Sequence, residues 1–286
     1  MDPKLSIVLP AKNEAGALAK LLPVLRQRYV NAEIVIVDDG SNDNTADLCR
    51  SHTVKVISLP YSMGNGAAIK QGARAAQGEI LVFMDADGQH QPQDIDRLLA
   101  KIDEGYDMVV GARSGNSQAS LHRAVANRFY NRLATWMIGQ TVQDLTSGFR
   151  AVKAEKFHKF MYLLPNGFSY PTTITMSFFR AGYSVAYVPI AAAKRVGRSH
   201  VRPIRDGMRF LLIIFKIGTL YSPLKLFLPI SLLFFLTGLS YYLYTFITVH
   251  RFTNMSALLF ITSVLVFLIG LVSEQITSLN YRNSED

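Results

Sequence analysis

Short apolar runs alternate with segments of helical period through the first two-thirds of the chain. Residues 5–10, 33–37, 54–59, 80–84 and 108–110 are predominantly Val, Ile, Leu and Phe with turn-forming residues at their ends. Runs of that kind predict strands buried on both faces of a sheet. Between them, residues 15–28 carry Leu18, Leu21, Leu22 and Leu25 at helical spacing, and further helices are predicted up to Arg50, over 67–76 and over 95–102. Strands alternating with helices along residues 5–113 predict an α/β domain with a mostly parallel sheet covered by helices on both faces. A helix over 168–180 and an edge strand over 185–189, closing at Pro189, complete it.

Beyond residue 200 the pattern changes. Residues 226–249 hold no charged residue across 24 positions, and 255–273 hold none across 19. Each is long enough for a membrane-spanning helix, which needs roughly 20 apolar residues to cross a core of about 30 Å. Two buried core helices of that length in succession are the weaker reading. The connector 250–254 permits only a tight helical hairpin, so both ends emerge on one side. The chain is therefore divided into 1–200, 201–222 and 223–286, with spans at about 226–249 and 255–275.

Charge orients the hairpin. Arg205, Arg209, Lys216 and Lys225 flank the first span, whereas the loop between spans offers only Arg251. The positive-inside rule then places the N-terminal domain and both termini in the cytoplasm of a multi-pass inner or plasma membrane protein. No signal peptide precedes Leu5, in agreement. Neither span carries an interior charge, so anchoring, with homo-oligomerisation as a second use, is preferred to transport. Glu274 sits at the cytoplasmic end of the second span, and Tyr241, Tyr242 and Tyr244 suit an aromatic belt at the other side. The single cysteine, Cys49, excludes an internal disulfide and reads as a small buried residue on a helix. The formal net charge is +9. No zinc spacing, aromatic RNA-binding signature or basic reading helix accompanies it, so anionic lipid, not nucleic acid, is the expected partner.

The candidate chemistry gathers at strand ends. The run 80–84 delivers Asp85 and Asp87, followed by Gln89, to the carboxyl end of a buried strand, where open α/β sheets bind ligands. Oxygen donors there suit Mg²⁺ or Mn²⁺, with substrate phosphates completing the shell. A solvated turn capping the next helix is the alternative for an isolated Asp-x-Asp. Asp38 and Asp39 end the strand 33–37 and are suited to accept hydrogen bonds from ribose hydroxyls or a base, while Asp43 and Thr45 either join them or cap the helix that follows. Gly64 and Gly66 open another helix, where backbone N–H groups can approach an anion.

Six motifs now stand in order: Pro10-x-x-Asn13-Glu14, Asp38-Asp39-Gly40-Ser41-x-Asp43-x-Thr45, Gly64-x-Gly66, Asp85-x-Asp87-x-Gln89-His90-x-Pro92, Gly111-x-Arg113 and Asp144-x-Thr146-Ser147-Gly148-Phe149-Arg150. Over residues 4–216 the chain resembles the inverting family 2 glycosyltransferases of the GT-A fold, a Rossmann-like mostly parallel sheet. Within them it resembles the polyprenyl-phosphate glycosyltransferases related to dolichol-phosphate mannose synthase and the bacterial undecaprenyl-phosphate enzymes. The resemblance implies that Pro10, Asn13, Glu14, Asp38, Asp39, Gly64, Gly66 and Asp85 bind a nucleotide sugar. It implies that Asp85, Asp87 and Gln89 hold Mg²⁺ or Mn²⁺, and that Asp87, Arg113, Asp144 and Arg195 form the catalytic set. Arg113, Arg123, Asn127, Ser147, Lys194, Arg195 and Ser199 are implied at the acceptor phosphate. Arg128 and Arg132, four apart on one helical face, compete with Arg123 and Asn127. In Lys194-Arg195-Val-Gly197-Arg198-Ser199-His200, strict register selects Lys194 for the diphosphate, and bidentate contact favours Arg195. Asp144 either takes a proton from the acceptor or orients Arg150 or an acceptor-binding arginine, since a phosphate monoester with a second pKa of about 6 is already nucleophilic at neutral pH.

One further stretch bears on the acceptor. Arg202, Arg205, Arg209 and Lys216 fall in one stripe of a helix over 203–221 that is otherwise largely apolar, with Ile204, Met208, Leu211, Leu212 and Phe215. Such a helix lies in the membrane interface with its basic stripe toward phosphates, or its charges are the ordinary cytoplasmic flank of a membrane protein. The expected function is transfer of a hexose from a GDP- or UDP-sugar to undecaprenyl or dolichyl phosphate at the cytoplasmic face. A processive polysaccharide synthase is one alternative, but its Gln-x-x-Arg-Trp motif is absent, because Trp136 follows Arg132-Leu-Ala-Thr. A catalytically silent membrane scaffold that binds nucleotide sugar is the other.

Overall fold

The apolar runs come together as one seven-stranded sheet in the computed structural model, which describes residues 4–113, 121–167, 169–191, 218–219 and 221–282. The strands are β1 (Leu5–Ala11), β2 (Glu33–Asp38), β3 (Lys55–Ser58), β4 (Ile80–Phe83), β5 (Met108–Arg113), β6 (Arg150–Lys153) and β7 (Val185–Ile190). Their order is β3-β2-β1-β4-β6-β5-β7. Pairing is parallel from β3 to β4 and between β5 and β7, whereas β6 runs antiparallel to both β4 and β5. The mostly parallel α/β sheet expected from the sequence is present, and the edge strand over 185–189 is there as β7. The strand β6 was not anticipated, because Arg150 to Lys153 is four residues long with a charge at each end and shows no strand period.

The helices of this part are α1 (Ala15–Arg28), α2 (Thr45–Ser51), α3 (Asn65–Ala75), α4 (Asp94–Asp103), α5 (Leu121–Ile138), α6 (Ala154–Phe160) and α7 (Tyr170–Arg180). Strand alternation decides which face each covers. From β1, Ile7 and Leu9 join Leu18, Leu22 and Leu25 of α1 and Ile95 and Leu98 of α4 in one core. Val8 points to the other face and meets α3 at Gly72. Each fully buried Leu or Ile contributes about 1.5–3 kcal/mol, so the stripe on α1 accounts for much of its docking. Cys49 is buried on α2, as expected, and burial pushes its thiol up to about 11.

The chain separates into two compact units, Met1–His200 and Val201–Asp286. In the second, α8 (Pro223–Val249) and α9 (Asn254–Arg282) form a helical hairpin. Pro223–Val249 and Asn254–Leu279 are long and apolar enough to cross a membrane. Ser231 and Ser263 tie the helices together, each Oγ donating to the other's carbonyl at 2.9 Å. Glu274, expected to reach the interface, accepts the Leu224 N–H at 3.2 Å. It thereby satisfies a first-turn donor of α8 that has no partner within the helix. The basic stripe over 202–216 lies outside the described residues.

The serine pair gives a measurable contribution. A double-mutant cycle with S231A and S263A, read as hairpin unfolding in detergent, is expected to give a coupling of roughly 0.6 kcal/mol, the usual size for hydrogen bonds between membrane helices.

Candidate active site

The parallel strands β1, β2, β4 and β5 all end on one side of the sheet, and the antiparallel β6 begins there. That parity brings the loop 144–149 beside the end of β4. After Phe83, Met84 and Ala86 are buried while the Asp85 side chain is 37% exposed. Alternation thus turns Asp85 and Asp87 away from the core. Gly88 takes φ +74, and the Gln89 N–H closes the turn onto Asp87 Oδ1 at 3.1 Å. His90 is buried, stacked on Phe149 with ring centroids 4.9 Å apart, and its Nε2 lies 3.6 Å from Asp85 Oδ2. Gly148 lets the loop pack closely on this carboxylate, since a Cβ there would lie 3.0 Å from Asp85 Oδ2 and push it aside.

Arg113, the last residue of β5, meets Asp144 side-on. Its Nε donates to Asp144 Oδ2 at 2.8 Å, its Nη2 to Oδ1 at 3.1 Å and its backbone N–H to Oδ2 at 3.2 Å. Nη2 also reaches Thr146 Oγ1 at 2.6 Å. The N–H groups of Thr146 and Ser147 complete the set around Oδ1, at 3.0 and 3.1 Å. Burial pushes the Asp144 carboxyl up, but the guanidinium and these donors outweigh it and hold the group below its ordinary value. A carboxylate committed to so many donors is a poor proton acceptor.

Arg150 is not the partner of Asp144. It is fully buried, donating from Nη1 to the Pro171 carbonyl and Thr175 Oγ1 at 3.1 Å each and from Nη2 to the Ser147 carbonyl. The Tyr170 ring covers its guanidinium at 5.7 Å, and Tyr170 in turn donates to the Gly148 carbonyl at 3.1 Å. Desolvation lowers its pKa. Arg150 thus fixes the loop that presents Asp144 and Gly148. Its place at the end of the 144–150 motif is the only sequence signal of this role.

The other half of the site is a set of interlocked turns. Pro10 lies in β1 opposite Val37. Asn13 takes φ +56, its N–H donates to Ser41 Oγ at 2.9 Å, and its Oδ1 accepts from the Asn42 N–H at 2.8 Å. The Glu14 N–H reaches Thr45 Oγ1 at 3.1 Å, so Thr45 joins two turns as well as opening α2. Asp43 accepts from the Thr45 and Ala15 N–H groups. Asp38 is buried and accepts the Ser41 N–H at 3.0 Å. Asp39 accepts from the Met63 N–H at 2.6 Å, from the Gly64 N–H and from Ser62 Oγ at 2.8 Å. The start of α3, where the glycines suggest an anion site, faces protein carbonyls. The Gly66 N–H donates to Gly167 at 3.2 Å and the Ala67 N–H to Asn166 at 2.8 Å. Glycine at 66 allows this approach, since a Cβ would lie 2.0 Å from the Pro165 carbonyl.

Ser147 is buried and its Oγ has no bonding partner among the described residues. Arg123 and Asn127 belong to α5 but their side chains, like Lys194, Arg195 and Ser199 altogether, lie outside the described residues. No three His, Cys, Asp or Glu side chains gather around a common point among the described residues. Asp85, Asp87 and Gln89 therefore offer two carboxylates and an amide. That donor set fits a hard cation which takes its remaining ligands from water and a diphosphate.

A family profile described as Glycosyl transferase family 2 matches residues 6–161, and one described as GtrB C-terminal hairpin matches residues 222–279. Glycosyltransferase AglJ of Haloferax volcanii is 28% identical over 96% of this chain and 94% of its own length. The undecaprenyl-phosphate 4-deoxy-4-formamido-L-arabinose transferase of Proteus mirabilis is 35% identical over 52% of this chain, an alignment spanning about half of that protein, 49%. Among solved structures, glucosyl-3-phosphoglycerate synthase from Mycobacterium tuberculosis with Mn²⁺ and UDP-glucose shares the fold. Its TM-score is 0.59 at 22% identity, over 76% of this chain and 78% of that one.

Three substitutions test the geometry. D144N leaves Arg113 without its carboxylate in a partly buried place and is expected to cost roughly 3 kcal/mol in chemical denaturation. Because the native pKa of Asp144 lies below the unfolded one, the pair stabilises fully at neutral pH. Its contribution is lost as pH falls from about 4 through the lower native value, and D144N should flatten that acid limb of the stability profile. G66A, which must displace the 165–167 backbone, is expected to cost roughly 1–3 kcal/mol. At Gly16, which has nothing within 4 Å of a built Cβ, G16A should be neutral or stabilising in the same chemical denaturation.

Proposed function

This chain belongs to glycosyl transferase family 2, and on that premise we propose that it moves a hexose from a nucleotide sugar to a polyprenyl phosphate at the cytoplasmic face of a membrane. The observation that carries the reading is the approach of Asp85, which heads the turn to Asp87 and Gln89, to the loop that holds Asp144 under Arg113, in a chain that continues into an apolar hairpin. A relative named for transfer to undecaprenyl phosphate supports the acceptor class. A fold neighbour that holds Mn²⁺ with UDP-glucose supports a divalent ion and a nucleotide sugar.

In this reading the nucleoside rests against the turns set by Pro10, Asn13, Glu14, Asp38 and Asp39, with Gly64 and Gly66 shaping the neighbouring loop. Asp85, Asp87 and Gln89 hold Mg²⁺ or Mn²⁺, which when bound supplies Lewis-acid neutralisation of the departing diphosphate. Arg113 turns its remaining donor capacity toward the acceptor phosphate, and Asp144 keeps it in place and charged. Arg123, Asn127, Ser147, Lys194, Arg195 and Ser199 complete the anion site. An oxygen of the lipid phosphate forms a bond to the anomeric carbon as the bond to the nucleoside diphosphate breaks on the opposite face. The bonding electron pair leaves with the diphosphate and the configuration inverts. No base is required, since a phosphate monoester is largely dianionic at neutral pH. Asp144 is thus a positioning residue. The hairpin anchors the enzyme, with both termini cytoplasmic, and offers a surface for self-association.

The test is a donor-by-acceptor assay on the full chain with Mn²⁺ or Mg²⁺, a panel of GDP- and UDP-sugars, and undecaprenyl or dolichyl phosphate, counting lipid-linked sugar. Transfer is expected to require lipid, to vanish with chelator and return with metal, and to fall roughly 10³-fold in D87A. A donor that binds without transfer to any lipid would sink the acceptor assignment. Polymer in place of a single lipid-linked sugar would favour a processive synthase.

A further inference from the structure

Two residues of the sequence motifs still lack a role, Gly111 and His90, and the structure joins them through Phe149. Gly111 lies in β5, where its N–H donates to the Phe149 carbonyl at 2.9 Å. A Cβ at that position would stand 2.7 Å from Phe149 Cδ1 and 3.1 Å from Ile190 Cδ1. The missing side chain therefore makes room for the Phe149 ring, which is fully buried. On that ring the His90 imidazole lies nearly parallel, at an interplanar angle of 16°, and is itself only 6% exposed. Gly111, Phe149 and His90 thus form a column whose last member faces Asp85.

Packing alone does not ask for histidine at the top of this column. Phenylalanine or leucine would fill the place with no polar atom to satisfy, whereas His90 buries an Nδ1 that has no bonding partner among the described residues. A buried polar atom left unmet costs stability. What the imidazole supplies is its other nitrogen. Nε2 lies 3.6 Å from Asp85 Oδ2, and because a carboxylate only accepts, the surroundings assign the ring hydrogen to Nε2 and leave Nδ1 as the bare acceptor. The separation is just beyond a hydrogen bond, and a small turn of the Asp85 side chain closes it. Gly148 approaches the same carboxylate from the loop, with a built Cβ 3.0 Å from Oδ2 and 3.2 Å from Oδ1. The Asp85 side chain is still 37% exposed, so it is flanked by protein yet open to a ligand.

We propose that His90 is a positioning residue for the divalent ion: Nε2 donates to Asp85 and fixes the direction in which its carboxylate meets the cation, with Phe149 as the platform and Gly111 as the gap that admits it. Groups that orient ligands in this way tune metal affinity without touching the metal. The inference rests on the proposed reading of Asp85, Asp87 and Gln89 as the metal-binding set.

Two replacements separate the donor from the ring. H90Q places an amide N–H near the position of Nε2 and removes the stack, whereas H90F keeps an aromatic ring on Phe149 and removes the donor. The full chain in neutral detergent would be titrated with Mn²⁺ alone, the free ion being read by electron paramagnetic resonance, and the melting temperature of each variant recorded. H90F is expected to bind Mn²⁺ roughly tenfold more weakly than wild type with its melting temperature kept, and H90Q to stay within about twofold. Wild-type affinity in H90F would overturn the proposal, and so would equal loss in both variants, which would assign His90 to core packing. Should H90F not fold, H90Q decides by itself: affinity near wild type supports the donor, and a loss of about tenfold ends it. D87A separates this inference from the reading beneath it. If D87A binds Mn²⁺ as wild type does, or wild type binds none, the metal-binding set itself is wrong and His90 has nothing to position. If D87A weakens binding and H90F does not, only the role of His90 falls.

Discussion

A guanidinium without solvent contact holds the loop 144–149 in place. Arg150 enters the sheet as the first residue of β6, opposite Phe83 of β4 and Val110 of β5. From there it bonds backward to the Ser147 carbonyl and across to Pro171 and Thr175 at the start of α7. Burying a charge costs several kcal/mol per ion unless its donors are met; here Nη1 and Nη2 donate to neutral oxygens beside a ring face, while Nε has no partner among the described residues. One side chain thereby joins a strand, a loop and a helix. Gly148 is thereby kept against Asp85, and Ser147 with its neighbours keeps Asp144 under Arg113.

The described part of the site is divided by charge. Asp38, Asp39, Asp85 and Asp87 stand at the ends of β2 and β4, while Arg113 closes β5. On the proposed reading, a transferase that joins a metal-bound diphosphate to a phosphate acceptor needs two anion sites that do not exchange ligands. Carboxylates that bind the first through a cation repel a free phosphate, and arginines that attract the second repel the cation. Asp144 works within this division by neutralising Arg113 only in part, since it leaves guanidinium donor capacity beyond the bidentate contact.

Much of the fold was legible because buried parallel strands must be apolar runs and amphipathic helices must repeat at their own period. Runs 5–10, 33–37 and 80–84 became β1, β2 and β4, and Leu18, Leu21, Leu22 and Leu25 did line the buried face of α1. The GT-A family resemblance was likewise supported, since its motifs are spacings within single turns and survive in sequence. What stayed hidden has a common cause. The strand β6 is recognised only by its neighbours β4 and β5, and the amides at the start of α3 are met by carbonyls a hundred residues away. No local pattern encodes a partner so distant.

By itself, then, the sequence determined the α/β class, the strand ends that carry acids, and two helices apolar enough to cross a membrane, because each follows from residue type at short spacing. The tertiary structure decided which groups meet. It gave Asp144 to Arg113 and not to Arg150, because the antiparallel β6 sends the Arg150 side chain into the space under α7. It also closed Gly64 and Gly66, at the start of α3, against the 165–167 backbone. Such pairings depend on the order in which strands lie in the sheet, and strand order is set by the packing of the whole domain.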